Sequence, residues 1–174
     1  MQDVYGRAKL IRVAVFDVDG VLTDGTLYFT ASGEELKAFD AHDGHGMKML
    51  KDSGVALAVI SSRSSPCVEQ RARGLGIELL FQGAADKLAA YHDLLGRCGV
   101  SGAACAYVGD DLVDLPVMKR CGLAVAVPGA PAVVRRHAHY ITRAGGGRGA
   151  AREVCELILQ AQGSLTARMA AHGG

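Results

Sequence analysis

Val13-Ala14-Val15-Phe16-Asp17-Val18-Asp19-Gly20-Val21-Leu22-Thr23-Asp24-Gly25 decides how this chain folds. A short apolar run, rich in β-branched residues, stops at two carboxylates placed two apart. The run reads as a buried strand over 11–16, in a parallel sheet. Side chains at i and i+2 of a strand share a side. Asp17 and Asp19 can therefore face one spot at the strand's carboxyl end, where open α/β sheets place their ligands. Gly20 and Gly25 let the chain turn away beside the acids. Two carboxylates this close repel unless a cation sits between them or one keeps a proton. A hard divalent ion such as Mg²⁺ suits oxygen ligands. Taken alone, Asp-x-Asp after a strand is more often a turn closed by Asx hydrogen bonds than a metal site. The remaining chain has to decide between the two.

Outward from this stretch, strands alternate with helices. Residues 1–10 read as a mobile or loosely docked N-terminal arm. Two β-prone runs around Ser32-Gly33 predict a β-hairpin over 26–39. Asp43-Gly44-His45-Gly46 reads as a lead-in to a helix at 47–51, which stops at Ser53-Gly54. Strands follow at 55–60, 77–81, 104–108, 123–127 and 139–142. Helices are expected at 66–74, 84–98, 112–121, 130–136 and 148–162. The pattern implies an α/β, doubly wound, mainly parallel sheet in one domain spanning 1–174. No stretch between the strands is long enough for a cap domain, and 164–174 reads as a disordered tail.

Composition narrows the function classes. Net charge is +1, which argues against a basic nucleic-acid surface. Aromatic residues make up 5%, with no Trp, so stacking platforms for single strands are not expected either. No apolar run reaches the roughly 18 residues needed to cross a bilayer. Arg7, Lys9 and Arg12 break up the N-terminus, so no signal peptide is read there. Five Cys without a Cys-x-x-Cys fit reduced thiols in a cytoplasmic protein. Gly is 23 of 174 residues, above the usual ~7%, and clusters at 44–46, 74–76 and 145–149.

Three other positions carry chemistry. Ser61 ends the second strand, where a hydroxyl beside a helix N-terminus can meet a phosphate. In isolation Ser61 is more often an ordinary N-cap, and only its position after an apolar strand shifts the weight toward phosphate. Lys87 opens a helix against the dipole preference. Gly109-Asp110-Asp111-Leu112-Val113-Asp114 puts three acids at another strand end, a costly choice for structure alone.

Together these residues resemble the haloacid dehalogenase-like phosphohydrolases. Their motifs are Asp-x-Asp-Gly, then a Ser or Thr, then a Lys, then Gly-Asp-Asp-x-x-Asp. All four occur here in order, at strand ends or helix starts. The resemblance implies Asp17 as nucleophile and Asp19 as general acid and base. Ser61 and Lys87 would hold the phosphate, and Asp114 would orient Lys87. Mg²⁺ would be bound by Asp17, the Asp19 carbonyl and Asp110, with Asp111 reaching it through water.

From about residue 10 to 163 the chain further resembles the 3-deoxy-D-manno-octulosonate 8-phosphate phosphatases. Shared pieces include 17–25, Gly33-Glu34-Glu35-Leu36-Lys37-Ala38-Phe39, Asp43-Gly44-x-Gly46, 107–112 and 146–153. That family implies hydrolysis of the eight-carbon sugar-acid phosphate in lipopolysaccharide inner-core precursor synthesis. It also implies a capless homotetramer joined through hairpins, with a neighbour completing each site. Thr23, Lys37, His42, Ser62, Arg63, Arg143 and Arg148 are the expected substrate contacts. The glycine-rich segment 143–149 is the expected lid. Arg63 favours the eight-carbon acid over a nine-carbon one, whose phosphatases carry Glu there. His42 departs from the Arg usual in the family, and Ser62 from the usual Gly. A zinc site at His42 and His45 lacks further ligands.

Competing readings are a nine-carbon sugar-acid 9-phosphate phosphatase and a regulatory or scaffold subunit. A scaffold would be free to lose an acid, yet Asp17, Asp19, Lys87, Asp110 and Asp114 are all present. A receiver-type signalling domain would not need Asp19 or the Gly-Asp-Asp element.

Overall fold

Six parallel strands form the centre of the computed structural model, which describes residues 2–170. They are β1 (Val13–Phe16), β4 (Ala56–Ile60), β5 (Leu79–Phe81), β6 (Cys105–Gly109), β7 (Leu123–Ala126) and β8 (Tyr140–Ile141). Their order is β5-β4-β1-β6-β7-β8. Every residue of β1, β6 and β7 is buried, so these strands can be continuously apolar. Strand order reverses beside β1, which opens a crevice at the carboxyl ends of β1, β4 and β6. β2 (Tyr28–Phe29) and β3 (Glu35–Leu36) pair antiparallel as a separate hairpin.

Helices α1 (Gln2–Lys9), α2 (Ala41–Asp52) and α7 (Ala150–Ala161) pack together. Between the strands run α3 (Pro66–Leu75), α4 (Lys87–Cys98), α5 (Leu115–Met118) and α6 (Ala132–Arg135). The described residues close with α8 (Leu165–Ala170).

Four expectations need correction. The N-terminal arm is a docked helix: Val4 and Ala8 are buried, and Arg7 donates to the Gly122 carbonyl at 2.9 Å. The expected tail is helical over Leu165–Ala170, and Arg168 reaches the Asp52 carbonyl; residues 171–174 lie outside the described residues. Helix α2 starts at Ala41, not 47. Asp40 caps it by accepting from the N–H groups of His42 and Asp43. Gly44 and Gly46 looked like loop residues but serve close packing. A Cβ on Gly46 would meet Arg152 Cδ of α7 at 2.6 Å. The helix expected at 112–121 is a 3-10 turn over Leu112–Asp114 followed by short α5. Asp111 and Asp114 cap that turn reciprocally, and Pro116 follows in the first turn of α5.

Candidate active site

Two neighbouring strands bring the acids together. β1 and β6 pair in register with Phe16 opposite Val108, and the Asp17 N–H donates to the Val108 carbonyl at 3.0 Å. Both strands therefore end at one level. Ligand oxygens of Asp17, Asp110 and Asp114 all lie within 4.8 Å of one another. This separation lets Asp17 and Asp110 share one ion.

Each carboxylate has different surroundings. Asp17 accepts the Val18 N–H at 2.7 Å on Oδ1 and faces Lys87 Nζ at 2.9 Å with Oδ2. Lys87 Nζ also donates to Asp114 Oδ1 at 2.7 Å. Asp114 is fully buried and saturated. Its Oδ1 takes the Tyr107 hydroxyl at 2.7 Å, and Oδ2 takes the N–H groups of Asp110 and Asp111 at 3.0 and 3.1 Å. Asp114 thus fixes Lys87 and the β6 tip, while Asp17 and Asp110 face outward.

The electrostatics follow from burial. Desolvation pushes the Asp17 carboxyl up to about 6; nearby Asp114 adds to this, and Lys87 opposes it. Desolvation, then Asp17 and Asp114, push Asp110 up to about 8. Burial works against the Lys87 charge, yet Asp17 and Asp114 outweigh it and raise its pKa above the ordinary lysine value. One ammonium does not balance three acids. Protons held at Asp17 and Asp110 mark where a cation would be favourable. The loop is shaped for close approach as well: a Cβ on Gly20 would meet Asp110 Cγ at 2.5 Å. An all-oxygen donor pair fits a hard divalent ion.

Asp17, Asp19, Ser61, Lys87 and Asp110 line one open cleft of about 270 Å³, together with Ser62, Arg63 and Asp111. Ser61 is buried at the end of β4, and its Oγ accepts the Arg63 N–H at 3.2 Å. A hydroxyl that accepts there can still donate into the cleft. The Asp19 side chain turns from the acid cluster toward two cations, Lys37 at 2.5 Å and Arg63 at 3.7 Å. The Asp111 carboxylate accepts the Leu112 N–H at 2.7 Å and caps its own turn.

The expected substrate contacts divide. Ser62 and Arg63 line the cleft. Arg63 is not free there, because Nη2 binds Glu35 Oε1 at 2.8 Å. Lys37 is occupied likewise, with Glu35 at 3.3 Å beside Asp19. Thr23 is buried and closes the loop: its Oγ1 accepts the Gly25 N–H at 3.2 Å. His42 is exposed on the first turn of α2, outside the cleft lining. Arg143 lies beside Glu153 at 3.6 Å, and Arg148 beside Asp24 at 3.6 Å. The glycine-rich segment lies against the loop after β1: the Gly147 N–H donates to the Val21 carbonyl at 2.9 Å. A Cβ on Gly146 would meet the Thr23 carbonyl oxygen at 2.7 Å. Glu153 and Asp43 hold its two ends, accepting from the Arg143 and Ala144 N–H groups and from the Gly149 N–H.

Sequence reasoning missed Glu35 and Tyr107. Glu35 had a signal, since in Glu35-Leu36-Lys37 the two charges share one side of a strand. Tyr107 reads as core, and nothing local marks its hydroxyl.

The haloacid dehalogenase-like hydrolase family matches residues 33–122. The Yersinia pestis 3-deoxy-D-manno-octulosonate 8-phosphate phosphatase KdsC is 50% identical over 163 residues, covering 94% of this chain and 87% of that protein. The KdsC of Escherichia coli strain K12 is 48% identical, again over 94% of this chain and 87% of its own. The Moraxella catarrhalis 3-deoxy-D-manno-octulosonate 8-phosphate phosphatase, crystallised with magnesium, phosphate and KDO, superposes with a TM-score of 0.97 at 44% identity, covering 99% of both chains.

Proposed function

Because the chain belongs to the haloacid dehalogenase-like hydrolases, within the 3-deoxy-D-manno-octulosonate 8-phosphate phosphatase family, we propose that it hydrolyses that sugar-acid phosphate. The observation that carries the reading is the Asp17–Asp110 pair, gathered at two adjacent strand tips with Lys87 on Asp17. Mg²⁺ would be held by Asp17 and Asp110 with the Asp19 carbonyl, and when bound it offsets the charge of the transferring phosphoryl group.

The protein's own residues then act in order. An Asp17 oxygen attacks phosphorus, and the bond from phosphorus to the sugar oxygen breaks. Asp19 gives its proton to that oxygen. As a carboxylate it next takes a proton from a water, whose oxygen attacks the aspartyl-phosphate; the Asp17–phosphorus bond breaks and free phosphate leaves. Lys87 fixes Asp17 and supplies positive charge beside it, while Ser61 donates to a phosphate oxygen. Asp111 lines the cleft, where it can reach the ion through water. Segment 143–149 serves as the lid, bringing Arg143 and Arg148 to the sugar acid.

Phosphate release across a panel of sugar phosphates tests the assignment. The eight-carbon acid phosphate should give the highest kcat/KM. A preference for a nine-carbon 9-phosphate would transfer the enzyme to the other substrate class. No release from any ester would favour a scaffold.

Mg²⁺ binding should strengthen as pH rises. Raised folded-state pKa values at Asp17 and Asp110 mean that the metal-free fold keeps protons the unfolded chain has lost. The stability they contribute is complete below the unfolded carboxyl pKa, about 4, and fades as pH rises to about 8. Mg²⁺ has to displace those protons, so it binds better at the high end. The rise in Tm on adding Mg²⁺ should be larger at pH 8 than at pH 6. Scanning fluorimetry with and without the ion measures it, and a shift independent of pH would count against this ligand pair.

The family homotetramer is part of the proposal. Leu27, Tyr28, Phe29 and Leu36 expose 42–60% of their surface on the hairpin, an apolar patch suited to a second copy. Phe29→Asp should reduce the assembly seen by light scattering; a wild-type chain that is monomeric at micromolar concentration would rule the assembly out. A cytoplasmic location fits five unpaired cysteines. Among the described residues no helix is long and apolar enough to cross a membrane.

A further inference from the structure

Four charges alternate in a closed ring beside the cleft. Lys37 Nζ touches Asp19 Oδ1 at 2.5 Å and Glu35 Oε1 at 3.3 Å. Arg63 touches the same two acids, Asp19 Oδ2 at 3.7 Å and Glu35 Oε1 at 2.8 Å. The ring joins three separate pieces of chain: the loop after β1, the hairpin and the loop after β4. Its burial is uneven. The Lys37 side chain is 2% exposed and Glu35 15%, whereas Arg63 is 46% exposed.

Strand periodicity explains why the hairpin supplies two members. Glu35 lies in β3 and Lys37 just past it, two apart, so both side chains turn to the side where Asp19 and Arg63 lie, while Leu36 between them points out and is 54% exposed. The hairpin is tied to α3 at Glu35, where Cys67 Sγ approaches the Glu35 carbonyl at 3.5 Å. Glu35 therefore has a defined position relative to β1 and α3.

We propose that Glu35 is a positioning residue for Asp19, clasping the two cations that fix the Asp19 carboxylate at the cleft. With Glu35 in place, each cation is shared between two acids and the ring is neutral. Without it, two cations converge on one carboxylate and repel each other. Arg63, the more exposed, then swings toward water, and Asp19 is drawn to the buried Lys37 alone. The carboxylate keeps its partner but loses its direction. General acid catalysis depends on the proton lying within hydrogen-bond reach of the leaving oxygen, so direction decides the rate.

This inference rests on the proposed role of Asp19 as the acid that protonates the leaving oxygen. The test uses two aryl esters without a carboxylate, so that sugar-acid recognition drops out. Phenyl phosphate has a basic leaving oxygen that needs the proton; p-nitrophenyl phosphate has one that leaves without much help. kcat/KM covers the steps up to departure of the leaving oxygen, which removes the later base role from the reading. Glu35→Gln should lower kcat/KM for phenyl phosphate about tenfold, and for p-nitrophenyl phosphate by no more than about twofold. Lys37→Gln should show the same selectivity, and serves if the first variant folds poorly. An equal loss on both esters, or none on either, would overturn the inference. Asp19→Asn, measured alongside, separates the two failures. If Asp19→Asn is selective and Glu35→Gln is not, only the positioning role falls. If Asp19→Asn is itself unselective, the acid role falls and the inference with it.

Discussion

Asp17→Asn should lower phosphate release by about 10⁴-fold or more, while leaving a folded protein. The amide keeps the shape of the side chain and can still accept the Val18 N–H on Oδ1. It cannot act as an anionic nucleophile toward phosphorus. It also removes one of the two acids placed to hold Mg²⁺, so added ion should no longer raise Tm as it does in the wild type. Circular dichroism checks the fold and a phosphate assay the rate. Turnover within tenfold of wild type would remove Asp17 from the nucleophile role and return the aspartate pair to a structural turn.

Lys87→Met carries the second large effect, and here stability and activity fall together. The ammonium is buried between Asp17 and Asp114. Methionine has a similar length and no charge, so Asp114 stays buried with one partner fewer. Removing one member of a buried ionic cluster costs about 3–5 kcal/mol. In a domain of this size that is a Tm drop on the order of 10 °C. Turnover should fall about 10³-fold, since the positive charge beside Asp17 is lost. The pH dependence has a definite direction. In the wild type the raised pKa of Lys87 keeps its stabilisation complete until the pH climbs past the ordinary lysine value. In the variant Asp17 and Asp110 lose the Lys87 charge that opposes their protonation, so their folded pKa values climb further above the unfolded ones. The stability gap between variant and wild type should therefore widen as pH rises from 5 to 9. Equal Tm values for the two proteins across that range would mean that Lys87 is not what holds the cluster together.

How much of this was legible beforehand differs by residue. Asp17, Asp19, Ser61, Lys87 and Asp110, which line one cleft, stand out in the sequence because each follows an apolar strand or opens a helix, and those positions are marked locally. Their convergence followed from one further rule, that parallel strands deliver their carboxyl ends to one edge. The lysine–aspartate pairing of residues 87 and 114 was expected from family resemblance; its geometry, including the Tyr107 hydroxyl, was not. Segments rich in glycine were read less well. Gly44 and Gly46 look like a loop until Arg71 of α3 is seen against the first and Arg152 of α7 against the second.

The chain's own order of residues determined the parallel sheet, the short stretches between its strands and the acids at the strand tips, because periodicity and backbone preference act over a few neighbouring residues. Only the folded chain decided that Lys37 and Arg63 meet Asp19 and Glu35, across separations of 18 and 28 residues. It also decided that the glycine strip leans on the loop after β1. Contacts of that range depend on which faces come together, and long charged side chains have no preferred partner until packing brings one within reach.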